Sequence, residues 1–279
     1  MKKKIIIIAS LMLALVLATG ITVAALEATK ASSDTSVDGG QSGLFSLKND
    51  ATAKKVFIKP DKSSIELSYS KTMTANEVSH DIYTDEKGDN YLFDESGRLI
   101  SYIMSDEAFT NLSFEYDSRS TYIGEKQAVS IAIDHAKELF GSDFDSFEYV
   151  GTQLSSSGNI YYVEHAIKLG ENDFITAATC RSQIGKDGTI LTTVMKNYEE
   201  YLGFDADLLD GITKKEVKES IEKQLEELYG EKLKSFSTNT FSLELKDGAY
   251  RIKINTTAKL LQDGTGTKTV NENYYFELR

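Results

Sequence analysis

Two stretches of the chain repeat apolar residues three and four positions apart, the spacing of a single helix face. In the first, Ala128, Val129, Ala132, Ile133, Ala136, Leu139 and Phe140 form the stripe; in the second it is Val217, Ile221, Leu225 and Leu228. Each stretch carries its own start signal. Ile212-Thr213-Lys214-Lys215-Glu216-Val217 predicts a capping box between Thr213 and Glu216 and a hydrophobic staple of Ile212 on Val217. Ile123-Gly124-Glu125-Lys126-Gln127-Ala128 sets Gly124 and Gln127 in the same two roles, with glycine the weaker cap. The ends agree as well, since Leu139-Phe140-Gly141 and Leu228-Tyr229-Gly230 both put glycine where a left-handed residue closes a helix.

The two stretches match without gaps at an offset of 89, the interval from Ile123 to Ile212, and the match runs on past the helices. Ser146-Phe147 corresponds to Ser235-Phe236, Leu154 to Leu243, Tyr161 to Tyr250 and Val163 to Ile252. Strand-like alternation follows in both copies. Its turns are marked by glycine: Ser157-Gly158 and Asp187-Gly188 in the first, Asp247-Gly248 and the tract from Asp263 to Gly266 in the second. Each copy therefore predicts one helix and then three or four antiparallel strands.

Upstream, Asp85 to Asn90 and Phe93 to Ile100 predict two turns, which makes residues 80–104 a three-stranded meander. The spacing of Phe93 to Ile100 resembles that of Ile184 to Leu191, so a third, degenerate copy is a further reading of this region. Thr74 to Val78 is long enough for one helical turn. The expected fold is α+β: two tandem modules, each a helix packed on an antiparallel sheet of three to four strands, with a smaller β-rich N-terminal region. Residues 45–120 make up that region, 121–204 the first module and 205–279 the second.

The longest apolar run lies at the start. Lys2, Lys3 and Lys4 precede Ile5 to Leu26, which only Ser10, Thr19, Gly20 and Thr22 interrupt. Two readings stand side by side. The charged start, apolar centre and small residues Val23-Ala24-Ala25 fit a cleavable secretory signal; the same length spans a hydrocarbon core as an uncleaved helix. Either one sends the remainder to the exterior side of a membrane. Glu27 to Gly43 is rich in Ser, Gly, Asp and Thr, so residues 27–44 read as a flexible linker. About 235 residues then remain to fold, enough for one large or two small domains.

Charge narrows the partners. The chain carries −12, and without the three N-terminal lysines its 28 basic and 43 acidic side chains give −15. Such a surface repels phosphate backbones and anionic headgroups, so no nucleic acid is expected, and membrane contact only through residues 5–26. The single cysteine, Cys180, allows no internal disulfide, is too far from the apolar run for a lipid anchor, and reads as a buried thiol among alternating Ile175, Ala177 and Thr179.

Candidate chemistry is sparse. Of the three histidines, His135 sits on the edge of the first helical stripe and reads as structural, while His80 and His165 read as surface residues. None has a second His or Cys at ligand spacing, so no zinc or other transition-metal site is expected. Asp85 to Asp94 (DEKGDNYLFD) has a lysine at a ligand position and no closing glutamate, which favours a hairpin turn over a calcium loop. No nucleophile elbow and no glycine-rich loop between strand and helix is present. The expected catalytic, cofactor-binding and metal residues are therefore none, and the chain is not expected to be an enzyme. A site assembled from distant residues is the competing class.

The aromatic content is 15 tyrosines and 13 phenylalanines with no tryptophan. Tyr161-Tyr162 and Tyr274-Tyr275 place one ring on each face of a strand, so one ring of each pair leaves the helix-covered side. It either lies flat on an exposed sheet or forms a platform for an extended peptide.

A helix begun by Ile/Ser/Thr-x-x-Glu/Gln-Ala/Val, ended by glycine and followed by an antiparallel sheet whose late hairpin carries Asp-Gly resembles the PepSY type of extracytoplasmic domain. The resemblance covers residues 121–279 and, less closely, 80–104. It implies a module that inhibits or regulates peptidases rather than catalysing a reaction, with a protein or peptide of the cell envelope as partner. The resulting expectation is a non-catalytic extracytoplasmic binding or regulatory module. A structural envelope protein without a specific ligand is the alternative, and an enzyme with a dispersed site the less favoured one.

Overall fold

The structure is a computed structural model that describes residues 54–75, 78–94, 96–105, 122–170, 173–262 and 266–278. The apolar run 5–26, the linker 27–44 and most of the turn from Asp263 to Gly266 lie outside the described residues. No helix among the described residues is long and apolar enough to cross a membrane.

The strands are β1 (Lys54–Ile58), β2 (Ser64–Ala75), β3 (Val78–Thr84), β4 (Asn90–Phe93), β5 (Leu99–Ile103), β6 (Glu148–Leu154), β7 (Ile160–Leu169), β8 (Ile175–Gly185), β9 (Ile190–Lys196), β10 (Leu233–Lys246), β11 (Ala249–Leu261) and β12 (Thr267–Glu277). Between them stand α1 (Glu125–Phe140), the short α2 (Tyr198–Leu202) and α3 (Lys214–Tyr229). The two long helices occupy the limits that the stripes and caps predict. Thr213 Oγ1 accepts from Glu216 N at 3.2 Å while Glu216 Oε2 accepts from Thr213 N at 2.9 Å, the reciprocal box in full. Gly124 has no side chain to offer, so α1 keeps one half: Gln127 Oε1 accepts from Gly124 N at 3.0 Å. At the far ends Gly141 and Gly230 take φ of 58° and 52° with ψ of −131° and −133°, outside the left-handed helical well and in a region only glycine enters without strain. We expect Thr213→Ala to destabilise the chain by ~1 kcal/mol, read as a lower urea midpoint at unchanged slope.

The expected pair of tandem modules, each with a sheet of its own, is not what forms. Twelve strands join in one mixed sheet, ordered β1-β2-β3-β4-β5-β9-β8-β10-β11-β12, with β6 on β7 and β7 on β8 off that path. Among the described residues only two helices are long. Two pairings produce this result: β5 lies antiparallel on β9 (Ser101↔Val194, Tyr102↔Thr193, Ile103↔Thr192), and β8 meets β10 in parallel at Thr176↔Ser242. The physical reason is that an unpaired strand edge takes whichever edge tertiary folding brings to it, and a periodic pattern within one copy says nothing of that choice.

By compactness the chain divides into two units, one of residues up to 146 with 151–163 and 181–194, the other of 147–150, 164–180 and 195–279. In the first, β3, β4 and β5 form the predicted meander. Its first turn is closed by Asp85, whose Oδ1 accepts from Lys87 N at 2.9 Å and Asp89 N at 3.0 Å. Thr74 and Ala75 belong to β2 and Val78 to β3, with Ala75 paired to Val78, so these residues are strand rather than the expected helical turn; residues 76 and 77 lie outside the described residues. On the meander and β1, Phe57, Tyr83, Tyr91, Phe93 and Tyr102 pack against one another, mostly ring edge to ring face, with neighbouring centroids 5.5 to 6.3 Å apart. The α1 stripe is rich in alanine and lets the helix approach closely, so that Ala128 and Ala132 bury against Val163 and Ile184.

The second unit pairs β10 with β11 through the predicted Asp-Gly turn, where Asp247 and Gly248 both take positive φ. β11 then pairs with β12 without a single register shift from Arg251↔Glu277 to Leu261↔Thr267. Phe241, Leu243, Ile252, Ile254 and Ala258 are buried on the face that α3 covers.

Candidate functional site

The histidines come first, because an enzyme with a dispersed site would need one. His135 is buried on α1, and its Nδ1 lies 2.9 Å from Thr193 Oγ1, which lies 3.1 Å from Ser182 Oγ. Tyr102 packs on the imidazole, ring centroids 4.9 Å apart, and donates its own hydroxyl to Asp89 Oδ2 at 2.8 Å. Burial pushes His135 down to about 4, against Glu138 and Asp89, whose charges pull it up, and with Lys59, whose charge adds to the fall. A neutral imidazole facing a hydroxyl resembles a base and its nucleophile, yet Thr193 is 0% exposed and Ser182 2%, so both hydroxyls are closed to a substrate. His165 is buried rather than at the surface, correcting that expectation, and burial lowers its pKa beside the Tyr149 ring. His80 is half-buried on β3. Cys180 is buried, as expected, and burial holds its thiol protonated. Among the described residues no three His, Cys, Asp or Glu side chains converge as metal ligands.

The more informative geometry lies on β12. It is the last strand of the sheet, and no other described strand pairs with its outer side. Leu278 N donates inward to Tyr250 O at 3.3 Å, whereas Tyr275 O turns outward to accept from Gln224 Nε2 of α3 at 3.3 Å. Alternation then points the backbone N–H and C=O groups of Thr267, Thr269, Asn271, Asn273, Tyr275 and Glu277 away from β11. Edge strands are ordinarily blunted by shortness, bulges, proline or lysine. β1 is five residues with two lysines and β6 is seven residues; β12 runs for eleven with one lysine, Lys268, two glutamates, Glu272 and Glu277, and no bulge.

The α3 helix crosses this end of the sheet. At its start Lys214 Nζ lies 5.5 Å from the Phe241 ring of β10, and at its end Tyr229 donates to Glu272 Oε1 of β12 at 2.8 Å. Tyr274 donates to the other oxygen of Glu272 at 2.6 Å, and these two bonds hold that carboxyl below its usual range. Val217, Ile221 and Leu225 are each 0% exposed. Leu228 belongs to the same stripe, about three turns after Val217, but is 60% exposed. The sequence places it with the core; the structure leaves it exposed at the end of the helix.

The other face of β10, β11 and β12 is polar. Asn239 Nδ2 donates to Asn255 Oδ1 at 2.9 Å, Asn255 Nδ2 to Asn273 Oδ1 at 3.2 Å, and Thr257 Oγ1 to Asn271 Oδ1 at 2.7 Å. Each donor points toward β12, which leaves the Asn271 and Asn273 amide groups next in the row. Farther along, Arg251 lies 3.7 Å over the Tyr275 ring and donates to Glu244 Oε2. Burial pushes Glu244 up, but the Arg251 hydrogen bond and the Lys253 charge together hold its carboxyl below the usual range. Tyr274 faces the helix and Tyr275 the polar side, as the pair predicts. Sequence reasoning named that pair but not the edge, for which no local signal exists.

No protein family matches the chain, and no curated protein matches it. Among solved structures it is similar to the Bacillus megaterium YpeB C-terminal domain, over 78% of this chain and 89% of that one, at 11% identity and a TM-score of 0.30. A superposition that loose carries no argument about function.

Proposed function

We propose that this protein is a non-catalytic module on the exterior side of a membrane that holds another protein or peptide by adding an extended segment to β12. The observation that supports this reading is the edge itself: eleven residues in unbroken register, paired on one side only among the described strands. The lysine-flanked apolar run before it supports the location, and the resemblance of the helix-start motif to PepSY domains supports a regulatory role toward a peptidase or cell-envelope enzyme. The enclosed hydroxyls around His135 disfavour the enzyme alternative.

The test is a photocrosslinking residue at Thr269 in the full chain, with Lys246 at the end of β10 as control position. Thr269 is expected to yield a discrete adduct that Lys246 does not. Asn273→Pro, which removes one outward N–H and leaves the β11 ladder intact, is expected to abolish it. Equal labelling at both positions, or an adduct indifferent to the proline, would remove the proposal.

A further inference from the structure

Leu228 is exposed and lies one helical turn after Gln224, which reaches the outward carbonyl of Tyr275, so it shares the helix face nearest the outer side of β12, where no described strand pairs. Its three companions on the stripe are sealed, and Gln224 and Tyr229 on either side of it are anchored to β12. The position beside β12 is therefore bordered by a helix end and by outward backbone groups that no described strand pairs, the Tyr275 carbonyl alone being taken by Gln224 among the hydrogen bonds described. Backbone groups in that array are matched by an extended polypeptide at the strand spacing of ~4.8 Å, and by few other molecules. The opposite side of the same position is bordered by the Asn271 and Asn273 amides, whose oxygens are already occupied by Thr257 and Asn255. Both residues are exposed, so their Nδ2 groups are donors that an added strand can reach.

Resting on the proposed function, and narrowing it, we infer that β12 takes a segment of a second protein with strict two-residue alternation: apolar side chains toward Leu228, and carboxamide, carboxylate or hydroxyl acceptors toward Asn271 and Asn273. Of the six β12 residues with outward backbone only Glu277, at the strand's end, is charged, so selection along the rest of the edge works through this alternation. A helical-period segment of the same composition would turn half of its apolar groups to the polar face.

The probe is a fluorescein-labelled synthetic peptide alternating Asn or Thr with Leu or Val, beside an isomer of identical composition with the order rearranged to helical period. Anisotropy titration of the full chain is expected to show saturable binding of the alternating peptide and at least tenfold weaker binding of the isomer. Leu228→Lys is expected to weaken the first by about tenfold or more while leaving the urea midpoint unchanged, because that side chain is solvated in the free protein. Asn273→Pro should weaken it as well.

Equal binding of both peptides, or binding indifferent to Leu228→Lys, overturns the inference. If the Thr269 adduct nevertheless forms and depends on the edge, the proposed function survives without it. Absence of both adduct and peptide binding removes the two together. A dimer that Leu228→Lys dissolves, with no peptide bound, assigns the edge to a second copy of this chain and likewise overturns the inference.

Discussion

Leu225→Ala is expected to lower the stability of the chain by ~2–5 kcal/mol, whereas Leu228→Ala, three residues along the same helix, should shift it by no more than about 0.5 kcal/mol. Both leucines lie on the apolar stripe of α3. Leu225 is 0% exposed on the helix face that packs on β10 and β12, so its truncation loses the transfer energy of the removed methyls and opens a cavity in a close-packed interior. Leu228 is 60% exposed, and shortening it removes surface that water already touches. Urea unfolding of the two variants measures the difference directly. Similar losses would mean that Leu228 is covered in solution, and the position inferred beside it would not be open.

The second large effect is acid sensitivity centred on His135. In an unfolded chain this imidazole titrates near its ordinary 6.5; in the fold, burial lowers it to about 4. The unfolded state therefore binds the extra proton first as pH falls. Stability is unaffected by this group above about pH 6.5, declines through the window from 6.5 to 4, and reaches a full penalty of ~3 kcal/mol below it. At pH 5 the expected loss is ~2 kcal/mol relative to pH 7. His135→Gln keeps a polar partner for Thr193 and cannot take the proton, so its stability should vary much less between pH 7 and pH 5. Glu244 and Glu272 are held below the ordinary carboxylate range, so their own losses fall at lower pH and leave this window to histidine. His165, also buried and lowered, adds to the slope in the same direction. A variant as acid-sensitive as the parent would show that His135 is not the group responsible.

Helix limits, caps and hairpin turns were legible because each is decided within a few residues. Thr213 reaches Glu216 three positions away, Asp85 closes its turn on Asp89, and Asp247-Gly248 accepts the dihedrals of a two-residue hairpin. The constant offset between the copies likewise located α1 and α3. None of these signals extends to the pairing of strands far apart in the chain. Ser101 finds Val194, and Thr176 finds Ser242, because those edges remain open once the local hairpins have closed, and the two expected sheets become one.

The same division applies to the site. The apolar stripe from Val217 to Leu228 and the outward ring of Tyr275 are properties of the sequence, set by helical and strand periodicity. That Leu228 is left exposed, that β12 is the strand left at the end of the sheet, and that His165 lies inside were decided by tertiary structure. Periodicity determines which face of an element is apolar; the number of strands that assemble beneath that face determines how much of it is buried.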